Sequence, residues 1–348
     1  MTHRIYGDRC PATYVELRPR PGNARRALTI IQLNFGLRHC ERRLMGLRIC
    51  FTNFWPGASA AADNALFLQY ALGEAVGELE LVEDPAAAEV VVSSVFGNQP
   101  VPAEKTIQFI GENIRPDLLR HRFALSFDYD TYGGRNFRLP LWWWRLAWPG
   151  YNERWRQRAR PTGAGPAHGY EDLIPIEALL RARPAPQSRP EGFCVLVATN
   201  PEPLRINLFM GLQRAGQMTG YGQMFNNPLH RSKFEVLGQF RFCLCPENSI
   251  YPGYHTEKLI DAWYGGCVPL YNGDRLLGQD FNPSALVNYQ DFLDMEWFVD
   301  HARRLDASRE AYEAIRSQPL LSRRPSLEPL IGFLRFAVEQ IRSAPAGG

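Results

Sequence analysis

The chain has 348 residues, 45% hydrophobic and 22% charged, with a net charge of +3. These proportions exclude a disordered or fibrous chain, and the length suggests two domains around two cores. No basic block stands out as a nucleic-acid or membrane patch, no apolar run is long enough to predict a membrane span, and the Arg-rich start lacks a signal-peptide pattern. The seven cysteines are odd in number and contain no C-x-x-C. They predict reduced, buried thiols and a cytoplasmic protein. Lys105, Lys233 and Lys258 are the only lysines; arginine supplies every other basic side chain.

Residues 1–44 are rich in Arg and Pro with little periodicity, and read as a loosely structured extension. A strand pattern starts abruptly after Met45, and residues 45–160 read as an α/β domain. "LRICFTNF" is its first strand and Ala60–Ala75 its first helix; "LELVED", "EVVVSSVFG", "KTIQFIGEN" and "RFALSFDYD" are further short strands. Residues 161–192 are rich in Pro, Gly and Arg and read as an interdomain connection. A second domain over 193–320 opens with the buried strand "GFCVLVAT". A helix follows, with Pro near its start and Gly216 at its end. The strand "FRFCLC", a helix over Thr256–Tyr264 and the strand "CVPLY" complete successive βαβ units, hence a parallel sheet. Cys243 and Cys245 lie on one face of their strand, where core packing suits them better than a metal. Residues 321–348 carry a last amphipathic helix, about Leu327–Arg342, expected to brace the domains.

Just after "FRFCLC", within twelve residues, the chain crowds two glutamates, an asparagine, two tyrosines, a histidine and a lysine. Glu247 and Asn248 fall just beyond a strand's carboxyl end, where ligands bind open parallel sheets. Tyr271 and Asn272 reach the same edge from the next strand. Thr256 reads as an N-cap, which puts Glu257 and Lys258 in the first helical turn. Glu257 suits the helix dipole; Lys258 opposes it, a conflict that an anion at the helix start removes. Arg205 opens an earlier helix at the same edge, so two cations could clamp a diphosphate. Neither a Walker loop nor G-x-G-x-x-G occurs.

Glu247-Asn248-Ser249, then Tyr254, then Thr256-Glu257-Lys258 resembles the signature of the α1,3/4-fucosyltransferases, glycosyltransferase family 10. "GGCVPL", "DFNPSALVN", "TIQFIGENIRP" and "FALSFDYDTYGGRNFRLPLWW" are similar to segments of that family, so the resemblance covers about 45–340. Pro246 departs from it, standing where the family usually has Phe. The resemblance implies a GT-B fold: two Rossmann-like domains with the active site in the cleft between them. It implies GDP-fucose as co-substrate, no required cofactor and no metal. The acceptor would be an N-acetyllactosamine-type glycan, and fucose would be moved with inversion onto a GlcNAc hydroxyl in α1,3 or α1,4 linkage.

Carried over residue by residue, the resemblance places Arg205 and Lys258 on the diphosphate. Asn248 and Glu257 fall at ribose or fucose hydroxyls, Glu247 is counted among the donor-binding residues, and Tyr254 falls at the nucleotide. Glu112, ending "IGEN", matches the segment that supplies the family's proposed base, and Glu257 would support the sugar cation. Asp128 and Asp130 form a D-x-D, the metal-binding pattern of a different transferase fold, and are set aside here. Trp142–Trp144 could stack on a sugar but suit core or interface packing as well. His255 is read as solvated or structural. Nucleic acid is not an expected partner, and peripheral membrane contact is left open. The rival readings are a GT-B transferase using another nucleotide sugar for surface-polysaccharide or lipopolysaccharide assembly, and a non-enzymatic carbohydrate-binding scaffold.

Overall fold

The computed structural model describes residues 46–54, 63–157 and 172–344. The expected extension over 1–44 therefore lies outside the described residues, as do the first residues of the Ala60–Ala75 helix and the whole "RPTGAGPAHGY" stretch. Among the described residues no helix is long and apolar enough to cross a membrane.

The first domain holds β1 (Leu47–Thr52), α1 (Asp63–Val76), β2 (Leu79–Leu81), β3 (Val90–Ser93), β4 (Thr106–Phe109), β5 (Phe123–Ser126) and β6 (Asn136–Arg138). Its sheet runs β2-β1-β3-β4-β5-β6, every pair parallel. Strands covered on both faces need near-continuous apolar runs, which is what "VVV" and "FAL" supply. A 3-10 turn over Leu141–Arg145 and helices α2 (Tyr151–Gln157) and α3 (Ile176–Leu179) follow.

The second domain holds β7 (Gly192–Val197), α4 (Pro203–Leu212), β8 (Met218–Tyr221), α5 (Lys233–Leu237), β9 (Phe240–Pro246), α6 (Glu257–Tyr264), β10 (Val268–Asn272) and β11 (Val287–Asn288). Helices α7 (Met295–Ala307), α8 (Arg309–Arg316) and α9 (Glu328–Ser343) complete the chain. This sheet is also parallel, ordered β11-β10-β9-β7-β8. Each sheet reverses winding direction once, between β1 and β3 in the first and between β7 and β9 in the second. Such reversals leave a crevice at the strands' carboxyl ends. Along β9, Phe242 and Leu244 pack with α4 and α7 residues, while Cys243 and Cys245 face the core shared with the first domain. The five cysteines among the described residues are free and buried.

Helix α9 returns to the first domain. Phe333 and Phe336 meet the ring of Phe123 at 6.0 and 5.8 Å, and Arg335 donates to the Ala75 carbonyl at 3.1 Å. Three strands escape sequence reading, β6, β8 and β11, because "NFR", "MTGY" and "VN" are too short and too mixed to show alternation. Each ring of the Trp142–Trp144 run packs on other aromatic side chains, with Trp142 buried and Trp143 and Trp144 half-buried. Trp142 lies against Phe281, Trp143 against Trp148 and Trp144 near Trp155.

A buried ion cluster joins the domains. Asp261, within α6, takes Arg145 of the 3-10 turn at 3.2 Å and Lys233 of α5 at 2.8 Å. Burial alone would raise the Asp261 pKa, but the two cations outweigh it and hold the carboxyl below its ordinary value. Asp261→Ala removes the buried carboxylate that both cations share. Denaturant unfolding should show a loss of about 3–5 kcal/mol; a loss within the range of an exposed pair, about 1 kcal/mol or less, would contradict this account.

Candidate active site

The second sheet's edge is organised around one carboxylate. Glu247 follows β9 and its side chain is fully buried. Its Oε1 accepts the Thr256 N–H and the Tyr271 hydroxyl, both at 2.9 Å. Its Oε2 accepts the Thr256 hydroxyl at 2.7 Å and the Lys258 ammonium at 3.3 Å. Both oxygens are thus occupied from within, and Glu247 has no oxygen left for a sugar hydroxyl. Within the protein, Glu247 holds the Lys258 ammonium. Thr256 sits at the N-cap position, but its hydroxyl makes no cap bond because it is spent on Glu247.

This arrangement resolves the misplaced lysine. The anion at the start of α6 is supplied by the protein itself, and Lys258 remains about a quarter exposed. Burial pulls the ammonium's pKa down, but Glu257 and Glu247 outweigh it and keep Lys258 charged. Glu257 lies 3.8 Å from Lys258. Burial would raise its pKa; Lys258 and then Lys233 lower it below the ordinary carboxylate value.

Arg205 projects from the first turn of α4, where Pro203 occupies an early position that needs no N–H donor. It is buried and donates to the Asn248 side chain at 2.8 Å and to the Asn200 carbonyl. Burial pushes its pKa down, with Glu202 and Glu247 opposing. Arg205, Lys233 and Lys258 line a cavity of about 30 Å³ at the carboxyl ends of β7 and β9, together with Cys245 and Pro246. That is the winding reversal of the second sheet. Its walls carry three cations, and Lys233 went unnoticed in the sequence because nothing near it repeats or pairs locally. Asn272 turns its oxygen to Gln290 at 2.8 Å, and its side-chain nitrogen is buried without a partner among the described residues.

The first domain presents Glu112, half-buried just past β4. Its Oε2 accepts the hydroxyl of Tyr254 from the second domain at 3.2 Å. Glu112, Tyr254, Glu257, Lys258, Arg205 and Asn248 therefore belong to one connected region, with Glu247 behind it. Asp128 does not face open space with Asp130: it is buried, ion-paired to Arg115, and accepts the Tyr132 hydroxyl at 2.8 Å. Among the described residues no group of three or more His, Cys, Asp or Glu side chains is placed to hold a metal ion.

Sequence reading missed the cluster around His255. This buried ring sets Nδ1 2.7 Å from Asp280 and Nε2 2.9 Å from Asp274. Two ring nitrogens facing two carboxylates are satisfied only by an imidazolium. Arg138 of β6 completes the cluster with a forked pair to Asp280 at 2.9 and 2.7 Å. Trp142 donates to the same carboxylate at 3.2 Å. Asp274 and Asp280 are separated from His255 by 19 and 25 positions, so no local spacing signals the contact.

Two parallel sheets bridged by such contacts define the GT-B class of fold. The crystal structure of an alpha1,3-fucosyltransferase matches 84% of this chain and 90% of its own, with a TM-score of 0.64 at 23% identity. A crystal structure of alpha1,3-fucosyltransferase with GDP-fucose matches with a TM-score of 0.62 at 22% identity, over 84% of this chain and 90% of that one. Residues 49–144 match the alpha-(1,3)-fucosyltransferase FucT N-terminal domain family, and residues 187–315 match the C-terminal region of glycosyltransferase family 10 (fucosyltransferase). The chain belongs to glycosyltransferase family 10. Alpha-(1,3)-fucosyltransferase FucT of Helicobacter pylori is 30% identical over 285 residues, 76% of this chain and 58% of that protein. The human 4-galactosyl-N-acetylglucosaminide 3-alpha-L-fucosyltransferase 9 is 26% identical over 129 residues, 36% of each protein. The chain thus spans just over half the length of its bacterial relative and about a third of the human one.

The His255 cluster yields a ligand-independent prediction. Burial lowers the imidazole pKa, but hydrogen bonds to Asp274 and Asp280 outweigh it and raise the folded value above normal. A raised histidine contributes its full stability below the unfolded pKa of about 6.5 and loses it as pH climbs through the folded pKa. The melting-temperature gap between wild type and His255→Gln should be widest at or below about pH 6 and narrow above neutrality. A gap independent of pH would show that the ring is not charged.

Proposed function

We propose that this protein transfers L-fucose from GDP-β-L-fucose to a GlcNAc hydroxyl of an N-acetyllactosamine-type glycan, with inversion at the anomeric carbon. The observation that carries the reading is the contact of Glu112 with the loop that leads into Lys258. A half-buried carboxylate from one domain meets the cation-bearing edge of the other. Inversion in one displacement needs a base on one side of the sugar and positive charge on the other.

In this mechanism the acceptor hydroxyl attacks the anomeric carbon as its proton passes to Glu112. The bond to the β-phosphate oxygen breaks on the opposite face, and GDP leaves with the electron pair. Arg205 and Lys258 bind the diphosphate and offset the charge that develops on it. Glu257, ionised beside Lys258 and about 30% exposed, supports the oxocarbenium-like sugar in this reading. Asn248 is held by Arg205 and fits a ribose or fucose hydroxyl. Relatives with an alpha-1,3 activity in their names favour α1,3 linkage here.

Transfer assays with GDP-fucose, GDP-mannose and UDP-sugars test the donor: turnover is expected with GDP-fucose alone. A preference for another nucleotide sugar would overturn the assignment. Glu112→Gln should lower kcat by at least about 100-fold with little change in donor KM. Near-normal turnover would remove Glu112 as base. Lys258→Ala should weaken donor binding and lower kcat together, by about tenfold or more in kcat/KM. Unchanged kinetics would take Lys258 out of the phosphate site.

A further inference from the structure

We propose that Tyr254 is a positioning residue for Glu112: its hydroxyl, supplied by the donor-side domain, fixes the carboxylate in the orientation that receives the acceptor's proton. This rests on Glu112 being the base, and it departs from the nucleotide contact that the family resemblance implied for this tyrosine.

The geometry is specific. The Tyr254 O–H donates to Glu112 Oε2 at 3.2 Å, which leaves Oε1 as the oxygen open to the acceptor. The ring is buried and edge-on to Phe127 of the first domain, with centroids 4.9 Å apart at 65°. Such a pair adds about 0.5–1.5 kcal/mol beyond burial, and it removes rotational freedom from the hydroxyl's carrier. Burial, and then Glu112, Glu247 and Glu257, push the phenol far above its ordinary pKa, so it stays a donor at any working pH.

The backbone beneath Tyr254 is held from the same side. Gly253 has φ of +86°, and a Cβ there would fall 2.4 Å from the Phe127 carbonyl oxygen, so only glycine permits this approach. The Gly253 carbonyl accepts from Arg138 at 3.1 Å and its N–H donates to Asp274 at 2.6 Å. Arg115 stacks over the Tyr251 ring at 3.4 Å. From Tyr254 the chain needs two residues to reach Thr256, which binds Glu247, and two more to reach Lys258. One short, clamped segment therefore sets the base on one side and the diphosphate cation on the other. The span from Tyr254 to Lys258 is fixed by covalent chain, and the Tyr254 hydrogen bond ties Glu112 to that span, so proton transfer and leaving-group stabilisation are aligned together.

Tyr254→Phe removes one oxygen and keeps the ring, so the fold should persist, with a melting temperature within about 2 °C of wild type. With GDP-fucose and N-acetyllactosamine, kcat should fall about tenfold, the worth of one hydrogen bond to a charged group. Both KM values and the GDP dissociation constant should stay within about twofold. Introduced into Glu112→Gln, the same change should alter residual turnover by less than about twofold, because its target is already gone. An unchanged kcat in Tyr254→Phe beside a collapsed Glu112→Gln would overturn the positioning role and leave the base assignment standing. Weakened GDP binding would return Tyr254 to the nucleotide and overturn the proposal. Near-normal turnover in Glu112→Gln would sink base and positioning residue together.

Discussion

A buried carboxylate with four hydrogen bonds is the interaction on which the donor-side architecture depends. Glu247 satisfies the first N–H of a helix, two hydroxyls and an ammonium without reaching solvent. A charge so deep is tolerated only when every lone pair is engaged. Its consequence lies eleven positions on: Lys258 can stand at a helix start, against the dipole, because its counter-charge is already there. Such a lysine is held in one place before any ligand arrives, which lowers the entropy lost when an anion binds.

The same logic of fixed charge joins the domains. Asp261 ties the first domain's Arg145 to the second domain's Lys233. Asp280 ties Arg138 and Trp142 to His255. Both lie near the edge that carries the candidate site, and both use arginines from the segment around β6. Helix α9 closes the first domain from the other end of the chain, through aromatic contacts to Phe123. A site assembled from two sheets needs such ties, since Glu112 comes from one sheet and Arg205 and Lys258 from the other.

Much of this could be read from residues, and the reasons differ by element. The strands of the parallel sheets show themselves as continuous apolar runs, and α6 and α9 show themselves by start and stop signals and helical spacing. The polar cluster from Glu247 to Lys258 stands out because it interrupts two buried strands. What sequence does not show is a side chain's partner when that partner is distant. Tyr271 and Thr256 consume the oxygens of Glu247. The Tyr254 hydroxyl goes to Glu112, 142 positions earlier. His255, Asp274 and Asp280 form no motif, because the fold rather than the spacing brings them together.

The central claim is that Glu247 holds Lys258, beside Arg205, as a preset receptor for a diphosphate. Calorimetric titration of GDP and GMP into wild type and Glu247→Gln tests it most directly. The account predicts that wild type binds GDP at least about tenfold more tightly than GMP, and that the variant loses most of that preference. A folded Glu247→Gln that keeps the full preference for the second phosphate would contradict it.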